Sequence, residues 1–120
     1  MSKIALTEME SRFAELIWDR EPVPSGELVR LCETELSWKK STTYTMLKRL
    51  ESKGIFENRS GLVTAVLKKE DFYAEQSKQF VEETFEGSLP RFLAAFTRSR
   101  KLSDNEIDAF LKIIKEHKEE

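Results

Sequence analysis

The chain has 120 residues, enough for one domain with a small appendage, and 39% of them are hydrophobic and 35% charged. Eight Phe and two Trp can drive a core and argue against disorder, and one cysteine rules out an internal disulfide. Apolar runs of only a few residues exclude a transmembrane helix, and with it membrane insertion.

The N-terminal MSKIALTEMESRF lacks the apolar segment of a secretory signal, so a cytoplasmic protein is expected. Thr7-Glu8-Met9-Glu10 is a T-x-x-E capping box, and Leu6, Met9, Phe13, Leu16 and Ile17 form a helical stripe around it. That helix stops before Pro22. Pro22 and Pro24 break the chain, and Ser25 is expected to cap a second helix with the stripe Leu28, Val29, Leu31, Cys32 and Leu36. Cys32 reads as a core thiol. Ser37-Trp38 leads into a third helix from about 40 to 53, which stops at Gly54.

Two β-rich runs, Ile55-Phe56-Glu57 and Leu62 to Leu67, flank Asn58-Arg59-Ser60-Gly61 and predict a β-hairpin. The remainder is helical. A helix from about 70 to 86 carries Tyr73, Phe80, Val81 and Phe85 and ends at Gly87. Ser88 caps a short helix with Leu89, Phe92, Leu93 and Phe96 on one face. A second capping box, Ser103-Asp104-Asn105-Glu106, opens a last helix with Ile107, Phe110, Leu111 and Ile114. The fold class is mainly α with a small β-hairpin wing. It divides into a winged helix-turn-helix domain over residues 1–69 and a helical region over 70–120.

The net charge of −2 hides an uneven distribution. Residues 38–69 hold Lys39, Lys40, Lys48, Arg49, Lys53, Arg59, Lys68 and Lys69 against only Glu51 and Glu57, while the segments on either side are acidic. A local basic block is the electrostatic footprint of phosphate binding, and equally that of a solvated face. On a helix over 40–53, Thr43, Met46, Leu47 and Leu50 share an inward face. Ser41, Thr42, Tyr44, Thr45, Lys48 and Arg49 are left outside. Short hydroxyls let a helix sit deep in a major groove and meet base edges, while Lys39, Lys40, Lys48 and Arg49 reach phosphates. The competing reading makes Ser41 a cap and Tyr44 a cover for the core. Arg59 and Ser60, at the hairpin tip, are candidates for backbone or minor-groove contact.

The late helices are short and have apolar stripes with few local partners, so burial against a second copy is the simplest expectation. The dimerisation candidates are Tyr73, Phe80, Phe85, Leu89, Phe92, Leu93, Phe96, Ile107, Phe110, Leu111 and Ile114. The alternative is that 70–120 folds back on its own domain. An enzyme is not expected: the single His117 lies in a charged tail, and neither a four-ligand zinc site nor a phosphate-binding glycine motif is present. No metal or cofactor is expected.

The blocks LTEMESRFAELIWDREPVPSGELVRLC, WKKSTTYTMLKRLESKGIF and EGSLPRFLAAFTRSRKLSDNEIDAFLKIIKE together resemble the penicillinase repressor family, the BlaI/MecI/CopY type. Leu6, Glu10, Ile17, Trp18, Trp38, Thr42, Thr45, Arg49, Leu50, Lys53, Gly54, Leu102, Ser103 and Glu106 match its pattern. The resemblance implies a homodimeric winged-helix repressor whose N-terminal domains read a palindromic double-stranded DNA operator and whose C-terminal helices form the dimer. In antibiotic-responsive members it implies a sensor peptidase partner and cleavage near Ala95 and Phe96, where Ala95 replaces the Asn of those members. The CxC…CxC tail of copper-responsive members is absent, and the NRSG wing is shorter than usual. A winged helix used only for protein contacts is the competing function.

Overall fold

The computed structural model of the protein describes residues 4–120. In chain order its elements are α1 (Glu8–Arg20), β1 (Val23–Pro24), α2 (Ser25–Leu36), α3 (Lys40–Ser52), β2 (Phe56–Arg59), β3 (Leu62–Ala65), α4 (Lys69–Phe85), α5 (Leu89–Ser99) and α6 (Asp104–Lys118). This is the expected mainly helical fold with a small antiparallel sheet. Two compact units are present, one running through Gln76 and one starting at Ser77, so the boundary falls inside α4.

In the first unit, α1, α2 and α3 enclose a core of Phe13, Ile17, Leu28, Cys32, Leu47 and Leu50, which Ile55, Phe56 and Val63 complete from the hairpin. Each of the Phe, Ile, Leu and Val side chains among them contributes about 1.5–3 kcal/mol by leaving water. The desolvation that buries Cys32 pushes its thiol above the ordinary range, against a hydrogen bond from Thr43. Trp38 packs on Phe13 with ring centroids 5.2 Å apart.

The α1 capping box closes in both directions: the Thr7 hydroxyl accepts from the Glu10 N–H, and a Glu10 carboxylate oxygen accepts from the Thr7 N–H. Glu10 is nonetheless only 1% exposed. Its charge is met by the Lys53 ammonium at 2.9 Å, just past the end of α3. The Thr7 N–H, aided by Lys53, outweighs burial and holds the Glu10 carboxyl below the ordinary carboxylate range.

The hairpin is present, with the register Phe56↔Ala65 to Arg59↔Leu62. Its turn is shorter than the four residues expected, because Asn58 and Arg59 belong to β2. Ser60 and Gly61 alone make the turn, with φ of 51° and 87°, as a type I′ hairpin turn requires. The structure adds β1, which pairs Val23 with Val63 and makes the sheet order β1-β3-β2. Pro24 is tolerated there because β1 is an edge. Ser25 is not the cap of α2. It is the first helical residue, and the capping position falls to Pro24, which makes no side-chain bond.

Three contacts fasten α1 to the end of the sheet and the start of α4. The Trp18 indole N–H donates to the Leu67 carbonyl at 3.0 Å. Lys69 and the Tyr73 hydroxyl both reach the Glu15 carboxylate, at 2.7 and 2.6 Å. Burial opposes the Glu15 charge, but these two partners prevail and hold its carboxyl below the usual range.

The second unit has no buried residue. Phe80, Phe85 and Phe92 meet edge-to-face, with centroids 5.5 to 6.1 Å apart. The Ser88 hydroxyl caps α5 by accepting from the Arg91 N–H. A complete capping box from Ser103 and Glu106 opens α6. Arg100 joins the two helices: its guanidinium grips both Glu106 oxygens, at 3.3 and 2.6 Å, and lies 5.4 Å from the centroid of the Phe96 ring. The Arg100 hydrogen bond and the Ser103 N–H lower the Glu106 carboxyl to about 2.

Candidate nucleic-acid interface

The two faces of α3 separate as its sequence predicts. Thr43, Met46, Leu47 and Leu50 are buried, and Thr43 also returns its hydroxyl to the Lys39 carbonyl. Lys39, Lys40, Ser41, Thr42, Thr45, Lys48 and Arg49 are exposed. Tyr44 stands between these groups. Its ring is half-buried against the core, and its hydroxyl donates to Ser25 Oγ at 3.1 Å.

The structure divides the eight cations of the basic block into two sets. Lys53 is tied to Glu10, Arg59 to Glu57, Lys68 to Glu21 and Lys69 to Glu15. Lys39, Lys40, Lys48 and Arg49, all on α3 or its N-terminal flank, have no acidic partner among the described residues. The ion pairs span 43 to 54 residues for Lys53, Lys68 and Lys69, so composition alone shows nothing of this partition.

The N-terminus of α3 strengthens the same set. Lys39 occupies the capping position without a side-chain bond, and no acid lies in the first turn. By contrast, α1 and α6 have capping boxes and acidic first turns. Unsatisfied N–H groups and the positive end of the helix dipole, flanked by Lys39 and Lys40, suit a phosphate oxygen. An open depression lined by Glu33, Ser37, Trp38, Lys39 and Lys40 adjoins this end.

Arg59 and Ser60 are exposed at the wing. The Arg59 Nε lies 3.3 Å from Glu57, yet the side chain is 83% exposed, so this pair is weak and easily exchanged for another anion. The wing turn is fastened from behind. The Asn58 side-chain oxygen accepts from the Gly61 N–H at 3.0 Å, and the Gly61 carbonyl accepts from the Ser25 N–H at 2.7 Å.

Of the dimerisation candidates, Tyr73 belongs to the first unit, where its ring packs on Trp18 and Phe72 and its hydroxyl meets Glu15. Phe80, Phe85, Leu89, Phe92, Leu93, Phe96, Ile107, Phe110, Leu111 and Ile114 all lie in the second unit. Leu89 is 54% exposed, Leu111 57% and Ile114 49%, and Ile113, outside the predicted apolar stripe, is 66% exposed. Ala95 and Phe96 lie within α5 and are exposed. Among the described residues, no group of three or more His, Cys, Asp or Glu side chains could hold a metal, and no helix is long and apolar enough to cross a membrane.

The penicillinase repressor family model matches residues 6–116. The chain is 27% identical to the penicillinase repressor of Bacillus licheniformis over 98% of its own length and 96% of that protein's. It is 20% identical to the methicillin resistance regulatory protein MecI of Staphylococcus aureus (strain Mu50 / ATCC 700699), over 91% of this chain and 92% of that one. The MecI protein of Mammaliicoccus sciuri matches with the same identity and coverage. A match over nearly the full chain, on a winged-helix fold with an open basic helix, shows that the chain belongs to the penicillinase repressor family, a family of transcriptional repressors.

Proposed function

We propose that the protein is a homodimeric transcriptional repressor that binds a palindromic operator in double-stranded DNA, with α3 in the major groove. The observation that carries this reading is the partition of the basic block. Among the described residues, the four cations without an acidic partner all lie on or just before α3, beside its hydroxyl face, while the other four are each paired with a glutamate. In this reading Ser41, Thr42 and Thr45 face base edges and Lys39, Lys40, Lys48 and Arg49 face phosphates. Arg59 and Ser60 bring the wing to the backbone or minor groove.

The division of labour is the first unit, through Gln76, for DNA and the second, from Ser77, for assembly. A helical unit without one buried residue cannot stand alone in water, and the exposed Leu89, Leu111, Ile113 and Ile114 offer the apolar area a second copy covers. The dimer then presents two recognition helices to two half-sites. Derepression follows from any signal that opens this region, proteolysis by a sensor peptidase near Ala95–Phe96 being the leading candidate. Proteases take extended chain, so α5 must unwind locally before cleavage.

Selection of bound genomic fragments, followed by sequencing, tests the reading. The expected result is enrichment of an inverted repeat with half-sites about one or two helical turns apart. Recovery of fragments with no common repeat removes the operator from the account.

A further inference from the structure

The Tyr44 hydroxyl sits on the helix offered to DNA, yet it points at another protein group. It donates to Ser25 Oγ at 3.1 Å, across 19 residues of chain. Ser25 is the first residue of α2, and its own N–H donates to the Gly61 carbonyl at 2.7 Å. Gly61 is half of the two-residue wing turn, and a Cβ built on it would stand 3.8 Å from the same Ser25 Oγ. Ser25 is thus the meeting point of α3, the start of α2 and the tip of the wing. Ser25 has no role in capping α2, so its hydroxyl is committed to this junction instead.

We propose that Tyr44 is a positioning residue: through Ser25 it fixes the wing turn relative to the recognition helix, and so sets the spacing at which the two meet DNA. The physical reason lies in the weakness of the wing. Leu62 is 43% exposed and Arg59 and Ser60 stand in solvent, so the tip has little packing of its own. A type I′ turn fixes the local path of the chain but not its distance from α3. The β1–β3 pairing covers only Val23 and Pro24, and the Ser25–Gly61 bond extends that ladder to the turn itself. Tyr44 buttresses that last rung from α3. The aromatic ring keeps its core packing in Tyr44→Phe, so this variant removes only the hydroxyl.

The consequence for DNA rests on the proposed wing contact, whereas the junction is testable without DNA. The Ser25 amide proton reports the Ser25–Gly61 bond directly by hydrogen exchange in the free protein. In Tyr44→Phe, and independently in Ser25→Ala, this amide should exchange several-fold faster than in the parent, with amides of the core of α1 unchanged. Operator affinity should fall several-fold in Tyr44→Phe, and the loss should vanish when Arg59→Ala is already present, while persisting in a Thr45→Ala background. Unchanged Ser25 exchange in Tyr44→Phe overturns the proposal, as does an equal affinity loss with and without Arg59. Faster exchange, with an Arg59→Ala variant that binds as well as the parent, retains the junction and retires the wing contact alone.

Discussion

The Lys53 ammonium lies 2.9 and 3.1 Å from the two carboxylate oxygens of Glu10 and 2.8 Å from the Ala5 carbonyl, binding the end of α3 to the chain entering α1. Glu10 simultaneously closes the α1 capping box. One buried carboxylate therefore starts the first helix and anchors the end of α3.

Removing one side of this pair leaves the other exposed to an apolar setting. Lys53→Met strands a carboxylate that is 1% exposed, and is expected to cost about 2–3 kcal/mol, below the full cost of breaking a buried pair because Lys53 is itself 31% exposed. Urea unfolding checks it. The Glu10 carboxyl is lowered in the fold, so its contribution is complete above the ordinary value of 4.5 and is lost as pH falls through the depressed folded value. Glu10→Gln should flatten that part of the stability–pH curve, and a curve parallel to the parent's would remove Glu10 from the acid response.

The two sets of cations should respond differently to truncation. Lys48→Ala and Arg49→Ala are expected to weaken operator binding, and each should lower the salt slope by about 1 for every phosphate no longer met, with the dimer intact. Lys69→Ala should leave the slope unchanged and instead lower stability by about 0.5–1 kcal/mol, since its partner Glu15 is partly exposed. Anisotropy titrations at several salt concentrations separate the two classes. Equal slopes for Lys48→Ala and the parent would show that Lys48 meets no phosphate.

Within α3, Thr42 and Thr45 are exposed while Thr43 is 1% exposed. Thr42→Ala and Thr45→Ala should reduce discrimination between the operator and single-base variants by about 1–3 kcal/mol at the affected positions, with little change in melting temperature. Thr43→Ala should do the opposite, lowering stability and sparing base preference. Competition binding against a panel of variant duplexes distinguishes them.

For assembly, Leu111→Asp and Ile114→Asp place charge on apolar side chains that are 57% and 49% exposed in a single copy. If a second copy covers them, each variant sediments as a monomer at concentrations where the parent is a dimer. Far-ultraviolet circular dichroism of the first unit's helices should survive. Dimers of unchanged affinity would place the interface elsewhere on the chain.

Much of this was legible in the sequence because its signals are local. Capping boxes at Thr7 and Ser103, the glycine stop at Gly54 and the apolar spacing of Thr43, Met46, Leu47 and Leu50 each act within a few residues, and each helix and hairpin strand so expected stands within a residue or two of its span. What was hidden depends on contacts across the chain. β1 is two residues long and one is proline, so it exists only because β3 lies beside it. Glu10 reads only as a capping residue until Lys53 arrives from 43 residues away. Tyr44 carries a polar handle on an otherwise hydroxyl-rich face, and only the position of Ser25 shows that the handle turns inward. The basic block was visible as composition, but the choice of which cations stay free is set by Glu10, Glu15 and Glu21 on or just beyond α1.

Whether Lys39, Lys40, Lys48 and Arg49 meet DNA phosphates in both protomers is tested most directly by titrating promoter-region duplexes across a range of salt concentrations. Four phosphates met per protomer predict that log affinity falls with log salt at a slope of about −7, reduced in size by about 2 when Lys48→Ala is present in both copies. An affinity that stays flat as salt rises, in a protein that remains folded and dimeric, would contradict it.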